Sequence, residues 1–127
     1  MNTSKTITVG RVTITVTRST VGTQMIQEVL VGRLKTLLGV WGSVEELMYR
    51  ITFGRIVAQT TAIEGTETRL ASTGMHSTDD ELVAAWAEWL TIPSYLSDPW
   101  ADAIADVNQP PGNPETQPGA EPTDPNG

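Results

Sequence analysis

Residues Lys5–Thr17 read KTITVGRVTITVT, and this stretch decides the β part of the fold. Apolar β-branched residues alternate with polar ones on both sides of Gly10-Arg11, which is the pattern of two strands joined by a tight turn. One face of the predicted hairpin carries isoleucine and valine, and the other carries threonine. Because an isolated hairpin is only marginally stable in water, we expect its apolar face to lie on the helices that follow or on another chain.

The chain between this hairpin and residue 108 has the apolar spacing of helices. The predicted helices lie at about residues 21–38, 44–60, 79–90 and 98–107. Ser19 or Thr20, then Ser43 and Thr78, are placed to cap the first three, and Gly39 is placed to end the first. The predicted fold class is therefore α+β, mostly α, with an N-terminal β-hairpin (about 5–17) followed by a bundle of about four helices.

Three local expectations accompany this assignment. Arg50 and Arg55 reach solvent from the second helix, which frays after Gln59. The polar segment Glu64–Ser77, EGTETRLASTGMHS, has no sustained period and is expected to be a loop. Pro99 is expected to be the first residue of the fourth helix, because the missing N–H of proline costs nothing at that position.

The last nineteen residues, QPPGNPETQPGAEPTDPNG, contain six of the eight prolines and no large apolar side chain. Such a segment cannot bury enough apolar area to offset the entropy of ordering it. We therefore predict a single folded domain at residues 1–108 and a disordered, acidic, Pro/Gly-rich tail at residues 109–127.

The charge is divided unevenly along the chain, whose net charge is −7. All eight Lys and Arg residues occur up to Arg69, against five acids, whereas ten acids and no base follow it. A long acidic segment repels nucleic acid and anionic lipid, so it favours basic or apolar protein surfaces as partners. No apolar run is long enough to span a bilayer, and the N-terminus lacks the apolar core of a signal peptide, so a cytoplasmic location is expected.

No combination of residues suggests catalysis, a metal site or a cofactor. His76 is the single histidine, there is no cysteine, and no glycine-rich phosphate loop is present. The two helices joined through Gly39–Ser43 have the outline of a helix-turn-helix, but the second begins with Glu45 and Glu46, where base-contacting residues would stand. We therefore expect neither an enzyme nor a DNA-binding protein.

Aromatic and acidic residues concentrate in the C-terminal part of the predicted domain. Tryptophans at helical spacing usually belong to a core, yet aromatic anchors ringed by acids also suit a protein interface. Both interpretations remain open here. The candidate protein-binding residues are Trp86, Trp89, Trp100, Ile104 and Val107, with an acidic rim of Asp98, Asp102 and Asp106.

The segment ELVAAWAEWLTIPSYLSDPWADAIADVNQPPG, residues 81–112, has a tryptophan helix, a proline break and Leu-x-Asp-x-Trp before an apolar helix. This pattern resembles the tail assembly chaperones of long-tailed bacteriophages, which are small acidic proteins with a short N-terminal β segment and a helical body. The resemblance implies binding of the helical tape-measure protein and recruitment of tail tube subunits. It also implies that a longer form is made by ribosomal frameshifting near the end of the reading frame.

Two other classes of function stay open. The first is a structural virion protein, such as a neck, head-completion or decoration protein. The second is a small acidic regulator that binds a basic protein surface. Self-association into a homo-oligomer is compatible with all three, since the hairpin leaves a strand edge free and the helices carry abundant apolar surface.

Overall fold

The computed structural model describes residues 3–110, so the predicted tail lies outside the described residues from residue 111 onward. It contains a three-stranded antiparallel sheet and four α-helices, which confirms the predicted α+β, mostly α class. The strands are β1 (Ser4–Val9), β2 (Val12–Thr17) and β3 (Thr60–Glu64). The helices are α1 (Val21–Leu38), α2 (Val44–Gln59), α3 (Asp79–Trp89) and α4 (Ser94–Val107), and a short 3-10 helix spans Leu70–Ser72.

The predicted hairpin is present as β1 and β2. Its turn places Gly10 at a φ of 61°, a left-handed conformation that glycine adopts without steric cost. Ile7 lies opposite Ile14 in the register, so the apolar residues of both strands share one face. The threonines form the other face, where pairs of hydroxyls such as those of Thr6 and Thr15 are hydrogen-bonded at 3.0 Å.

The third strand, β3, corrects the expectation that α2 frays after Gln59, whereas the segment predicted as a loop, apart from Glu64 in β3, contains only the short 3-10 helix Leu70–Ser72. α2 ends at Gln59, and the backbone becomes extended at Thr60, with a φ of −100° and a ψ of 121°. The five residues Thr60–Glu64 form β3, which pairs with β2, with Ile63 opposite Ile14, and completes the sheet order β1-β2-β3. Gly65 follows at a φ of 91°, and a Cβ on it would lie 1.8 Å from the carbonyl oxygen of Arg11 in the hairpin turn. Only glycine therefore fits at the exit of β3.

Three helices begin with the side-chain caps that the sequence indicates. Thr20, Ser43 and Thr78 each accept a hydrogen bond from the backbone N–H three residues ahead. α4 differs from the expectation, because it begins at Ser94 and encloses Pro99. Pro93 precedes the helix in an extended conformation, and its carbonyl accepts hydrogen bonds from the backbone N–H groups of Leu96 and Ser97. Proline is thus inside this helix, where it removes one backbone donor.

One apolar core joins the sheet to all four helices. Ile14 and Val16 of β2 are fully buried beside Leu30 and Leu34 of α1. Phe53 of α2 meets the Trp86 ring of α3 edge to face, with ring centroids 5.3 Å apart. α4 packs on β1, β2 and α2, so the last helix covers the first hairpin.

Candidate protein-binding site

The apolar residues predicted as protein-binding candidates lie mainly in this core. Trp100, Ile104 and Val107 are each at most 2% exposed, and Trp86 is 9% exposed. Trp89 is half-buried, and its ring meets that of Trp100 edge to face at 5.8 Å. The sequence left open whether these side chains belong to the core or to an interface. In the structure they belong to the core or, for Trp89, pack against it.

Trp100 also has a polar role in that core. Its indole N–H donates to the Thr60 hydroxyl at 2.9 Å, and both side chains are buried. This bond ties α4 to the residue at which α2 passes into β3. A buried indole N–H needs such an acceptor, because an unpaired buried donor costs about 1–3 kcal/mol.

The three candidate acids lie on the outer surface of α4. Asp98, Asp102 and Asp106 are four residues apart and all exposed, so they form one row along the helix. Asp106 is ion-paired with Lys5 of β1. Asp98 and Asp102 have no ion pair within residues 3–110. The row is therefore anchored at one end and open to a partner at the other.

A groove between α1 and α2 offers a better binding surface for an apolar partner. It encloses about 420 Å³, and most of the surface that lines it is apolar. The lining residues come from α1, from the connector Gly39–Ser43 and from α2: Gln27, Glu28, Val31, Gly32, Lys35, Trp41, Leu47 and Ile51. None of them belongs to the set predicted from the sequence.

Close packing of the two helices sets the groove floor. Gly54 of α2 approaches α1 so tightly that a Cβ there would lie 3.0 Å from the carbonyl oxygen of Gln27. The Gln27 side chain in turn donates to the Ile51 carbonyl at 3.4 Å. The helices therefore meet backbone to backbone below, while Val31 and Leu47 line the groove above.

The groove is closed at one end by the connector, which a buried arginine holds in place. The sequence predicts that Arg50 reaches solvent, but this prediction is wrong, because Arg50 is only 2% exposed. Its guanidinium donates to the Gly39 carbonyl at 2.8 Å and to the Glu46 carboxylate at 2.6 Å, whereas its buried Nε has no hydrogen-bond partner among residues 3–110. The same carboxylate accepts from the Gly42 amide at 2.7 Å. These bonds fix both ends of the segment that presents Trp41.

The electrostatics of this connector appear in the pKa of Glu46. A hydrogen bond from the Gly42 amide, then one from Arg50, holds the pKa of Glu46 below its ordinary value. Trp41 is held from the other side, since the Lys35 ammonium lies 5.7 Å from the centroid of its ring. Contacts within the domain therefore hold Trp41, the aromatic residue of the groove, in position.

Exposed apolar side chains continue from the groove at the start of α2. Val44 is 70% exposed and Met48 is 53% exposed. One feature of the sequence indicates this exposed apolar surface. Leu47-Met48 and Val29-Leu30-Val31 place apolar residues on adjacent faces, which is more than one buried face of a helix requires.

Among residues 3–110 no three His, Cys, Asp or Glu side chains are grouped so that they could hold a metal ion. His76 is exposed. In the same part of the chain, every helix is too short or too polar to cross a membrane.

Comparison of the chain with protein-family models, with curated proteins and with solved structures gave no significant match.

Proposed function

We propose that this protein is a phage tail assembly chaperone that binds an amphipathic helix of the tape-measure protein in the groove between α1 and α2. The observation that carries the proposal is the preformed apolar groove, which no described residue fills. Val31, Trp41, Leu47 and Ile51 supply its apolar lining, and a helix of about three turns matches such a groove through residues at i, i+3 or i+4, and i+7.

The edge of the groove supplies the specificity. Glu28 and Lys35 lie two helical turns apart on α1 and are both exposed. A client helix that places a basic and an acidic residue at the same separation matches them, whereas one with the opposite order meets like charges. Met48, beside the groove, is flexible and polarizable, which suits clients with several related helical segments.

The acidic row on α4 is the proposed contact for a second partner, a tail tube subunit. Asp98 and Asp102 present negative charge that suits a basic surface of a tail tube subunit. A chaperone of this kind acts in the cytoplasm of the infected cell, where the tail is assembled. Its net charge of −7 keeps an assembly intermediate soluble.

The test is binding to a tape-measure protein encoded next to this chain's gene, measured by co-purification and by calorimetry. Met48→Glu introduces a charge beside the groove at a half-exposed position, so it should weaken binding at least tenfold without unfolding the protein. Tyr95→Glu is the matched control, because Tyr95 is 73% exposed and belongs to α4, whereas α1 and α2 form the groove and Met48 follows the lining residue Leu47 on α2. It should bind like the unaltered chain.

Two results would contradict the proposal. One is the absence of binding by the unaltered chain, and the other is equal binding by the Met48→Glu and Tyr95→Glu variants. Trp100→Ala and Ile104→Ala are unsuitable tests, because both side chains are buried and their loss would weaken binding simply by unfolding the domain.

A further inference from the structure

Gly32 lies in the middle of α1, where the fold itself does not require a glycine. It is exposed, its backbone is helical, and a Cβ built on it would have no atom within 4 Å. Gly54 of α2 differs in this respect, because a Cβ there would lie 3.0 Å from the Gln27 carbonyl oxygen. Glycine weakens a helix relative to alanine, since it loses more backbone entropy on folding. Gly32 therefore lowers the stability of α1 without serving the packing of its own domain.

Two pockets meet at Gly32, one on each side of α1. On one side is the groove between α1 and α2. On the other side, between α1 and the start of α3, lies a pocket of about 290 Å³, here named the α3-side pocket. Its lining residues are Val29, Gly32, Arg33, Thr36, Leu37 and Asp79. Because Gly32 lines both pockets and has no side chain, the bare backbone of α1 is exposed between them.

Opposite charges flank Gly32 on the same face of α1. Glu28 lies four residues before it and Lys35 three residues after it, and these spacings place all three on one face of a helix. Both charged side chains are exposed. Glu28 makes no hydrogen bond or ion pair within residues 3–110, and the Lys35 ammonium has no ion pair in the same part of the chain. An acid and a base are therefore available to a partner on either side of the bare backbone.

We propose that Gly32 is the point at which the client helix crosses α1, with the two backbones in close approach. The inference rests on the proposed function, because the client helix is the partner that it describes. The distance between two packed helices depends on the side chains at their contact, so a glycine there allows the closest approach. An apolar side chain on one side of the crossing then enters the groove, and one on the other side enters the α3-side pocket.

This crossing defines the client segment more narrowly than the groove alone does. The client needs a glycine, alanine or serine opposite Gly32, because a larger side chain would hold the two backbones apart. It needs a basic residue that faces Glu28, about one turn from the small residue, and an acidic residue that faces Lys35, about one turn away in the other direction. The partner is thus an amphipathic helix with a small residue at the centre of its apolar face and opposite charges on either side.

The experiment measures the binding of overlapping synthetic peptides from the tape-measure protein encoded next to this chain's gene. Each peptide has about 20 residues, enough for a helix of about 30 Å. The full chain is titrated with each peptide in a calorimeter. Gly32→Leu should weaken binding of the tightest peptide by about tenfold or more, and Gly32→Ala by a smaller factor. Replacing the small residue of that peptide by leucine should likewise weaken its binding to the unaltered chain by about tenfold or more.

The stability of Gly32→Ala separates a lost contact from lost folding. Alanine is the better helix former and its Cβ meets no atom here, so the thermal unfolding midpoint should rise by about 2–8 °C. Gly22→Ala is the matched control, because Gly22 is also exposed on α1 and lies about 15 Å along the helix from Gly32. Gly22→Ala should bind the peptide like the unaltered chain. A more stable domain that binds less tightly is a result that unfolding cannot produce.

Thr36→Lys tests the α3-side pocket separately from the groove. Thr36 is exposed and lines this pocket, so a lysine there should weaken binding of the peptide by about tenfold. Thr66→Lys makes the same exchange at an exposed residue outside α1 and should leave binding unchanged.

The inference is overturned if either Gly32→Leu or Thr36→Lys binds the peptide like the unaltered chain. If Met48→Glu still weakens binding in that case, the client lies in the groove without crossing α1, and the proposed function stands. If no peptide binds the unaltered chain, the proposed function and the inference both fail.

Discussion

The hydrogen bond between the Trp100 indole and the Thr60 hydroxyl permits a quantitative test of what closes the fold. Thr60→Val keeps the side-chain shape but leaves a buried indole N–H without an acceptor, which should cost about 1–3 kcal/mol. Trp100→Phe loses part of a buried ring and also leaves the Thr60 hydroxyl unpaired, so about 2–3 kcal/mol is expected. Against a total stability of about 5–15 kcal/mol, both losses are measurable.

The double variant separates packing from hydrogen bonding. With both polar groups removed, only the packing loss of Trp100→Phe remains, which is about 1–2 kcal/mol. The double variant should therefore be more stable than the sum of the single changes implies, by about 2–4 kcal/mol. A non-additivity of this size is typical of residues in direct contact.

The measurement is urea unfolding followed by far-ultraviolet circular dichroism, which does not depend on tryptophan fluorescence. Thr66→Val is the matched control, because Thr66 is exposed and its hydroxyl makes no hydrogen bond within residues 3–110. It should change stability by less than about 0.5 kcal/mol. Additive effects of Thr60→Val and Trp100→Phe, to within about 0.3 kcal/mol, would show that this bond does not hold α4 to the rest of the domain.

Two further changes test the turn after β3 and the connector. Gly65→Ala should lower stability by more than about 2 kcal/mol in urea unfolding, because its Cβ overlaps a hairpin carbonyl and its φ is positive; Gly74→Ala, which meets no atom within 4 Å, should be nearly neutral. Glu46→Gln should destabilise the protein at neutral pH. Because bonds from Gly42 and Arg50 lower the folded pKa of Glu46, its contribution is present above the ordinary glutamate pKa of about 4.3 and lost as pH falls through the folded value. The unfolding midpoints of the two proteins should therefore converge in acid, and a constant difference across pH would contradict this reasoning.

The hairpin and the first three helices follow from local sequence signals. Strict alternation around Gly10 and the three hydroxyl caps each fix a boundary through interactions within a few residues. β3 was not predictable in this way. Its five residues become a strand through pairing with β2, and no local pattern records a partner almost fifty residues away.

The burial of Arg50 and the groove between α1 and α2 were also not predicted, because both depend on tertiary structure. Arg50 has the charge of a surface residue, and only the positions of the Gly39 carbonyl and Glu46 explain its burial. The groove was missed because periodicity identifies the faces of a single helix, whereas a groove depends on how two helices cross. That crossing is set at Gly54, whose close approach to Gln27 becomes visible only in three dimensions.

The packing of α4 on β1 also has a consequence for the order of folding. The Lys5–Asp106 pair joins residues 101 positions apart, and the Arg18 guanidinium donates to the Val107 carbonyl across 89 positions. Contacts of such long sequence separation form late, because the entropy of closing the loop must be overcome first. On the ribosome, the hairpin is synthesised first. Its apolar face stays uncovered by α4 until nearly the whole domain has been synthesised. The period of greatest exposure to aggregation is therefore set by the synthesis of α4.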